Sequence, residues 1–259
     1  MIRVGVVGAA GRMGREICRA VTADPALELV AAVDPSHAGQ TIEGLVVADS
    51  LDALAGSGVE VATEFTRSDA APSNVDWCIA HGVHVVTGTT GFDPDPAWAA
   101  QREVGVFVAS NFAIGAVLMM RFAEQAARHL PDVEIVELHH GDKPDAPSGT
   151  SIATARRIAA ARGGDGPAGR DSAAASVPAV ERISGARGAD VDGVRVHSVR
   201  LTGLVAHQEV IFGGLGQTLA LRHDSTSHVS FMPGVLLAVR AVSSRPGLTV
   251  GLDALLDEA

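Results

Sequence analysis

Ile2-Arg3-Val4-Gly5-Val6-Val7-Gly8-Ala9-Ala10-Gly11-Arg12-Met13-Gly14 opens the chain with a β-branched run, a turn built on glycines 8, 11 and 14, and the start of a helical pattern. The run predicts a buried strand over Ile2 to Val7. Beyond the turn, Met13, Ile17, Cys18 and Val21 fall on one face of a helix expected over Arg12 to Ala23. A second apolar run, Leu27 to Asp34, ends in an acid 20 residues after Gly14. Strand, glycine turn, helix and distant acid make a G-x-x-G-x-x-G variant of the dinucleotide-binding fingerprint. Its glycines permit positive φ and let the backbone of Gly8, Ala9, Ala10, Gly11, Arg12 and Met13 approach a pyrophosphate, whose charge a helix N-terminus attracts. Arg12 adds a cation near a phosphate. Asp34 is expected to accept hydrogen bonds from ribose hydroxyls, which favours NADH over NADPH, with His37 and Arg12 as residues that would tolerate a 2′-phosphate. An ordinary tight turn of an α/β protein explains the glycines but not the acid at this distance.

Outward from that unit the same grammar continues. Val59 to Phe65, Val83 to Thr87 and Val104 to Ala109 read as further strands, with a helix over Ser73 to Ala80. This is an α/β, Rossmann-type, doubly wound parallel sheet. After residue 112 the pattern changes: a long helix (Ile114 to His129), a strand (Val133 to Leu138), a Gly/Pro-rich loop, a helix (Ser151 to Ala161), then strands at Val194 to Leu201, Ala206 to Phe212 and Thr218 to His223. A last helix is expected near Val235 to Ser243. Strands following βα units imply a second, α+β domain with a mostly antiparallel sheet. Residues 163–193, rich in Gly, Ala, Ser, Pro and Asp, read as a surface excursion or flexible arm.

Composition removes several classes. With 259 residues, 47% of them apolar, the chain has enough material for a proper core, and its net charge of -10 would repel phosphate backbones and anionic lipid. No nucleic-acid or membrane partner is expected. The apolar run Phe112 to Met120 is far too short for a bilayer span and Arg121 interrupts it. Cys18 and Cys78 have no CxxC partner, so neither a disulfide framework nor a metal site is expected, and the N-terminus lacks a signal peptide's pattern, which leaves the cytoplasm as the expected location.

The chemistry concentrates in Glu137-Leu138-His139-His140-Gly141-Asp142-Lys143-Pro144-Asp145-Ala146-Pro147-Ser148-Gly149-Thr150. Of 20 cationic residues, 19 are arginine and the one lysine is Lys143. Arginine keeps its proton, whereas a lysine in a site can give one away, so Lys143 is a general-acid candidate. Its bland alternative is a loop ammonium. Adjacent histidines on an extended segment point to opposite sides, which gives His139 and His140 separate tasks: proton transfer for His139 and an anionic substrate group for His140. Ser148, Gly149 and Thr150 open a helix whose amides and hydroxyls suit a carboxylate, although simple capping explains the same residues. Two further loops follow parallel strands, where such sheets bind ligands: Gly88-Thr89-Thr90-Gly91-Phe92 and Ala109-Ser110-Asn111-Phe112, with Phe92 or Phe112 a candidate to pack beside nicotinamide or else a core aromatic.

Together these four segments resemble the 4-hydroxy-tetrahydrodipicolinate reductase (dihydrodipicolinate reductase) family over nearly the whole chain. The most specific part is E-L-H-H-x-x-K-x-D-A-P-S-G-T, Glu137 to Thr150. The resemblance implies a Rossmann domain over residues 1–112 completed by 220–259, and a substrate-binding and tetramerisation domain over 113–219. It implies NADH or NADPH held by Gly8 to Met13, Asp34, Gly88 to Thr90 and Ala109 to Phe112. His139 takes a proton donor/acceptor position and Lys143 the proton donor position, while His140, Gly149 and Thr150 take substrate contacts. The implied reaction reduces a cyclic imine dicarboxylate with loss of water, in lysine and diaminopimelate biosynthesis, in a homotetramer. Two departures stand out: Glu64-Phe65-Thr66 where the family usually has Asp-Phe-Thr, and Gly141-Asp142, whose acid is expected to act on the Lys143 ammonium. Two other readings share the glycine turn, another two-domain NAD(P) dehydrogenase of amino acids or sugars and a non-catalytic NAD(H) sensor, but neither explains His139-His140 with Lys143.

Overall fold

The computed structural model describes residues 1–163 and 180–256. It divides into two compact units, residues 1–114 with 228–256 of the C-terminal segment, and residues 115–227.

Unit 1 carries β1 (Ile2–Val7), α1 (Arg12–Ala23), β2 (Leu27–Val33), the small hairpin β3 (Thr41–Ile42) and β4 (Leu45–Val46), α2 (Asp52–Gly56), β5 (Val61–Glu64), α3 (Ala71–Ala80), β6 (His84–Thr87) and β7 (Gly105–Val108). Its main sheet runs β13-β7-β6-β5-β1-β2, every pair parallel, where β13 (Gly247–Val250) comes from the C-terminal segment. Strands covered on both faces read as continuous apolar runs, which is why Val4, Val6, Val61, Val85, Val86 and Val106 are all fully buried. On α1, Ile17, Cys18 and Val21 face the interior, the Ile17 and Val21 side chains each worth about 1.5–3 kcal/mol when fully withdrawn from water, while Met13 is only part-buried. The chain moves outward from β1 to β2 and then returns to β5 on the other side of β1. That reversal places the loops after β1 and β5 at the switch point of the sheet.

Unit 2 carries α4, which begins at the unit boundary (Ile114–Ala126), β8 (Asp132–His139), α5 (Gly149–Ala161), β9 (Ala189–Val191), β10 (Val194–Arg200), β11 (Ala206–Gly214) and β12 (Gln217–Ser225); α6 (Met232–Ala241) and α7 (Asp253–Leu256) belong to unit 1. The second sheet runs β12-β11-β8-β10-β9, with β8 and β10 parallel and the other pairs antiparallel. Ile135, Val196, Val210 and Phe212 lie on one face and are buried with Ala155 and Ile158 of α5.

Several expectations shift. The second strand stops at Val33, leaving Asp34 in the loop, because its carboxylate caps a short turn over Pro35–His37. The helix expected from Ser151 starts at Gly149, with Ser148 as its cap. β10 and β11 are consecutive along the chain but not neighbours, since β8 lies between them. Within the segment read as an arm, β9 adds an edge strand, and residues 164–179 lie outside the described residues. The boundary expected at 219/220 would cut β12; the division at 227/228 leaves that strand whole.

Candidate functional site

In unit 1 the fingerprint loop, Asp34, Gly88 to Thr90 and Ala109 to Phe112 all follow the carboxyl ends of parallel strands, at one edge of the sheet. Gly8 has φ of +82°, and a Cβ there would come within 2.4 Å of the Phe65 carbonyl oxygen. A Cβ on Gly14 would stand 2.0 Å from the Gly8 carbonyl oxygen, so only glycine lets α1 approach the turn this closely. Gly11 caps α1 without a side-chain hydrogen bond, which leaves the first-turn amides to act as anion donors. Gly8 and Ala9 donate instead to the Val33 carbonyl, at 2.8 and 3.1 Å, and fix the loop on β2. The Asp34 carboxylate accepts from Ala10 N at 3.2 Å and Ser36 N at 3.1 Å, and His37 Nδ1 lies 3.0 Å from its Oδ1. Arg12 is exposed. The positive-φ turn, the uncapped helix and an acid beside the turn fit a dinucleotide.

The neighbouring loops are built differently from their sequence reading. Gly88 is required by the protein itself, because a Cβ there would meet the Phe65 ring at 2.1 Å. Phe112 is a core aromatic, 2% exposed, with its ring 5.5 Å from Phe65 and 6.1 Å from Phe107. Its ring is therefore not a surface for nicotinamide, and Phe92 packs edge-on to Trp98. Thr89 Oγ1 accepts from Thr66 N at 2.9 Å, Ala109 N donates to the Thr87 carbonyl, and the Asn111 side chain accepts from Ala113 N at 2.8 Å; Thr90 and Ser110 are exposed. Beneath these loops lies Glu64, fully buried, whose carboxylate accepts from the Thr66 and Thr87 hydroxyls and from Asn74 Nδ2. Sequence reading noted this glutamate only as a departure, whereas it links the loops after β5 and β6.

In unit 2 the register of the sheet explains which residues meet. Glu137 lies opposite Ser198 and His139 opposite Arg200 on β10, while Gln208 of β11 lies opposite Glu137. Alternation then puts Glu137, His139, Ser198, Arg200 and Gln208 on one face. This is the polar end of the face that α5 covers, and Gln208 docks the helix there: it accepts from Ser151 Oγ at 2.9 Å and donates to Thr154 Oγ1 at 2.8 Å. His140, one residue on, falls outside this strand alternation and is part-buried.

Glu137 is fully buried and His139 Nδ1 donates to its Oε2. Arg200 binds the same carboxylate through both terminal nitrogens, each at 2.9 Å. Burial by itself would raise the Glu137 carboxyl, but hydrogen bonds from His139, Arg200 and Ser198 outweigh it and bring it down to about 2. Arg200 also donates to the Asp145 carbonyl at 2.6 Å. Lys143 pairs with Asp145, its Nζ 2.7 and 2.9 Å from the two carboxylate oxygens, and that ammonium lowers the Asp145 carboxyl. Asp142, expected to act on Lys143, is not the partner, because the turn that returns Lys143 N to the His140 carbonyl brings the lysine to the later acid. Ser148 is 3% exposed and its hydroxyl is engaged with Ser151 N and Ser151 Oγ, so it is a helix cap, a role worth about 0.5–2 kcal/mol. Gly149 and Thr150 precede the first intrahelical bond, from Ile152 N to the Ser148 carbonyl. Neither Glu137 nor Arg200 was a sequence candidate; the signal available was the glutamate two residues before His139, on the same side of a strand.

Among the described residues no group of His, Cys, Asp and Glu is placed to hold a metal ion, and no helix is long and apolar enough to cross a membrane.

Comparison with known proteins agrees with both halves. Residues 2–112 match the family model for the dihydrodipicolinate reductase N-terminus, and residues 115–256 the model for its C-terminus. A 4-hydroxy-tetrahydrodipicolinate reductase of Nocardia farcinica is 54% identical over 99% of each chain, and one of Corynebacterium diphtheriae is 51% identical over the same share. A dipicolinate-bound dihydrodipicolinate reductase from Paenisporosarcina sp. TG-14 has a TM-score of 0.84 at 38% identity, covering 98% of this chain and 99% of that one. With its Rossmann unit and its His139-to-Lys143 unit matched end to end, the chain belongs to the dihydrodipicolinate reductase family.

Proposed function

We propose that this chain catalyses the NADH- or NADPH-dependent reduction of 4-hydroxy-tetrahydrodipicolinate to tetrahydrodipicolinate, with loss of water, in lysine and diaminopimelate biosynthesis. The observation that carries this is the likeness, at about half of all positions and over 99% of each chain, to relatives named for that activity. Bound at the Gly8–Gly14 turn, the cofactor supplies a hydride. The chain's own residues supply position and charge.

The Gly8–Met13 turn would hold the pyrophosphate, with the first-turn amides of α1 as its donors, Asp34 would hold the ribose, and Gly88, Thr89 and Thr90 with the backbone of Ala109 to Phe112 would hold the nicotinamide end. In unit 2 the acceptor is a dicarboxylate, as the dipicolinate of the Paenisporosarcina enzyme suggests. The amides of Gly149 and Thr150 and the side chain of His140 take its carboxylates, with Ser148 as the cap that aims those amides. Negative charge develops on the substrate as it is reduced, and the Lys143 ammonium stabilises it and passes a proton. His139, held by Glu137 through Nδ1, presents Nε2 as the second proton-handling atom.

A homotetramer in the cytoplasm completes the reading. Its support is the edge position of β12 with Leu219 exposed, the sheet face opposite α5 where Val136, Leu138, Val199 and Ile211 stay part-exposed, and two free buried thiols, Cys18 and Cys78.

The test is loss of NADH or NADPH absorbance with freshly generated 4-hydroxy-tetrahydrodipicolinate. Turnover is expected; cofactor binding without oxidation would make the chain a sensor, and activity on other substrates alone a different dehydrogenase. Lys143→Ala is expected to lower kcat about 10²–10⁴-fold with NADH binding retained, and a near-normal rate would remove Lys143 from the mechanism.

A further inference from the structure

One guanidinium holds both proton-handling side chains of unit 2. Arg200 lies across from His139 in the parallel β8–β10 register and makes four hydrogen bonds: two to the Glu137 carboxylate, one to the Asp145 carbonyl and one, at 2.8 Å, to its neighbour's carbonyl, that of Val199. We infer that Arg200 is a positioning residue of this reductase, holding His139 through Glu137 as the tautomer with its proton on Nδ1, and holding Lys143 through Asp145. The inference rests on the function proposed above for its kinetic part only.

The chemistry of the partners requires this arrangement. An ionised carboxylate only accepts hydrogen bonds, so the His139 Nδ1 facing Glu137 must carry a proton, and in the neutral ring Nε2 is then the lone-pair nitrogen. A fully buried carboxylate with an imidazole as its one cation would hold that imidazole charged. Arg200, which keeps its proton at every working pH, supplies that carboxylate with a second positive charge. The charged group in contact with the ring is Glu137 on its own strand, and Arg200 on β10 binds that same carboxylate; Asp145 and Lys143 in the loop are tied to Arg200 through the Asp145 carbonyl, and the facing position on β11 is Ala206, which has no charge. The second arm of the fork acts on the loop. Its Nη2 fixes the Asp145 carbonyl, and the same residue's carboxylate fixes Lys143 Nζ, so the ammonium's position is referred to the β8–β10 pair instead of to an exposed turn. Arg200 Nε is buried and is the one such side-chain atom among the described residues with no hydrogen-bond partner.

The test uses the full-length protein, wild type and two variants. In the wild type, nitrogen NMR of selectively labelled histidine is expected to show neutral His139 protonated at Nδ1; a neutral ring protonated at Nε2 would overturn the inference without any variant or turnover. In Arg200→Met, whose unbranched side chain keeps the apolar stem but lacks the guanidinium and its charge, His139 is expected to stay doubly protonated to higher pH. The acidic limb of kcat/KM should rise by about one to two pH units, and kcat should fall about 100-fold with NADH affinity retained. Arg200→Lys restores a charge beside Glu137 but not the fork, so the pH profile should recover while kcat stays low. If kcat falls in Arg200→Met while both titrations stay as in the wild type, Arg200 is a brace and the inference is wrong. Should wild-type protein bind NADH but not turn over, the proposed reaction fails, and the histidine spectra still decide the role of Arg200.

Discussion

Replacing Glu137 by glutamine isolates the most deeply buried charge of unit 2. The glutamate has no exposed surface and receives donors from His139, Arg200 and Ser198, which hold its carboxyl at about 2 against an ordinary value of 4.5. A carboxyl whose folded value lies below its unfolded value stabilises the fold above the unfolded value, and that contribution disappears as pH falls through the folded one. Here the window runs from pH 4.5 down to about 2, and the contribution is roughly 3 kcal/mol. Glutamine cannot titrate and leaves the part-buried Arg200 guanidinium without its counter-charge, a loss of about 3–5 kcal/mol near neutrality. The gap in stability between wild type and Glu137→Gln should therefore be about 3–5 kcal/mol at pH 6 and close by roughly 3 kcal/mol by pH 2. Both tryptophans, Trp77 and Trp98, lie in unit 1, so indole fluorescence does not report this change. Hydrogen exchange of the β8 and β10 amides, corrected for intrinsic rates, does. A gap that stays constant from pH 6 to pH 2 would show that Glu137 is not ionised in the fold and would refute the reasoning.

Three further outcomes test unit 1. Asp34→Ala removes the acceptor expected to hold the ribose and leaves His37 without its carboxylate, so NADH should weaken about tenfold and NADPH less; equal weakening of the two, by fluorescence titration, contradicts the ribose assignment. Gly14→Ala puts a Cβ 2.0 Å from the Gly8 carbonyl oxygen, which forces turn and helix apart and should cost about 1–3 kcal/mol together with most of the cofactor affinity; unchanged NADH binding would show that the turn is not the cradle. His84→Leu strips Gly105 N of its acceptor at 2.9 Å and should destabilise unit 1 by about 1–3 kcal/mol in urea, followed by Trp98 fluorescence. Burial pushes the His84 imidazole below its usual value of 6.5, so the wild type should lose stability as pH falls below 6.5 and the variant should lack that slope.

Local signals carried much of this protein. The strand, turn and helix of residues 2–23 were legible because each is written in its own short-range period, and the order Gly8 to Gly14 then Asp34 needs no knowledge of packing. Glu137 to Thr150 was legible for the same reason: a lone lysine, paired histidines and a helix start lie within one segment. β13 was not, since four residues, Gly247 to Val250, have too little alternation to stand apart from a loop, and only the open edge beside β7 makes them a strand. Phe112 was left between two uses, and it is the surrounding Phe65 and Phe107 that make it core.

By itself, then, the chain determined its periodicities, its Rossmann and α+β halves, and which residue types gather near one another along the backbone. Tertiary structure alone decided the pairings. Arg200 meets Glu137 across 63 positions of sequence because β10 lies parallel to β8 in one register; a shift of a single residue would turn its side chain to the other face of the sheet. Lys143 pairs with Asp145 and not the adjacent Asp142 because the loop bends back on His140. Composition and spacing describe what a segment presents, but which partner it meets depends on strand register and loop path, and those are set by contacts between residues far apart in the chain.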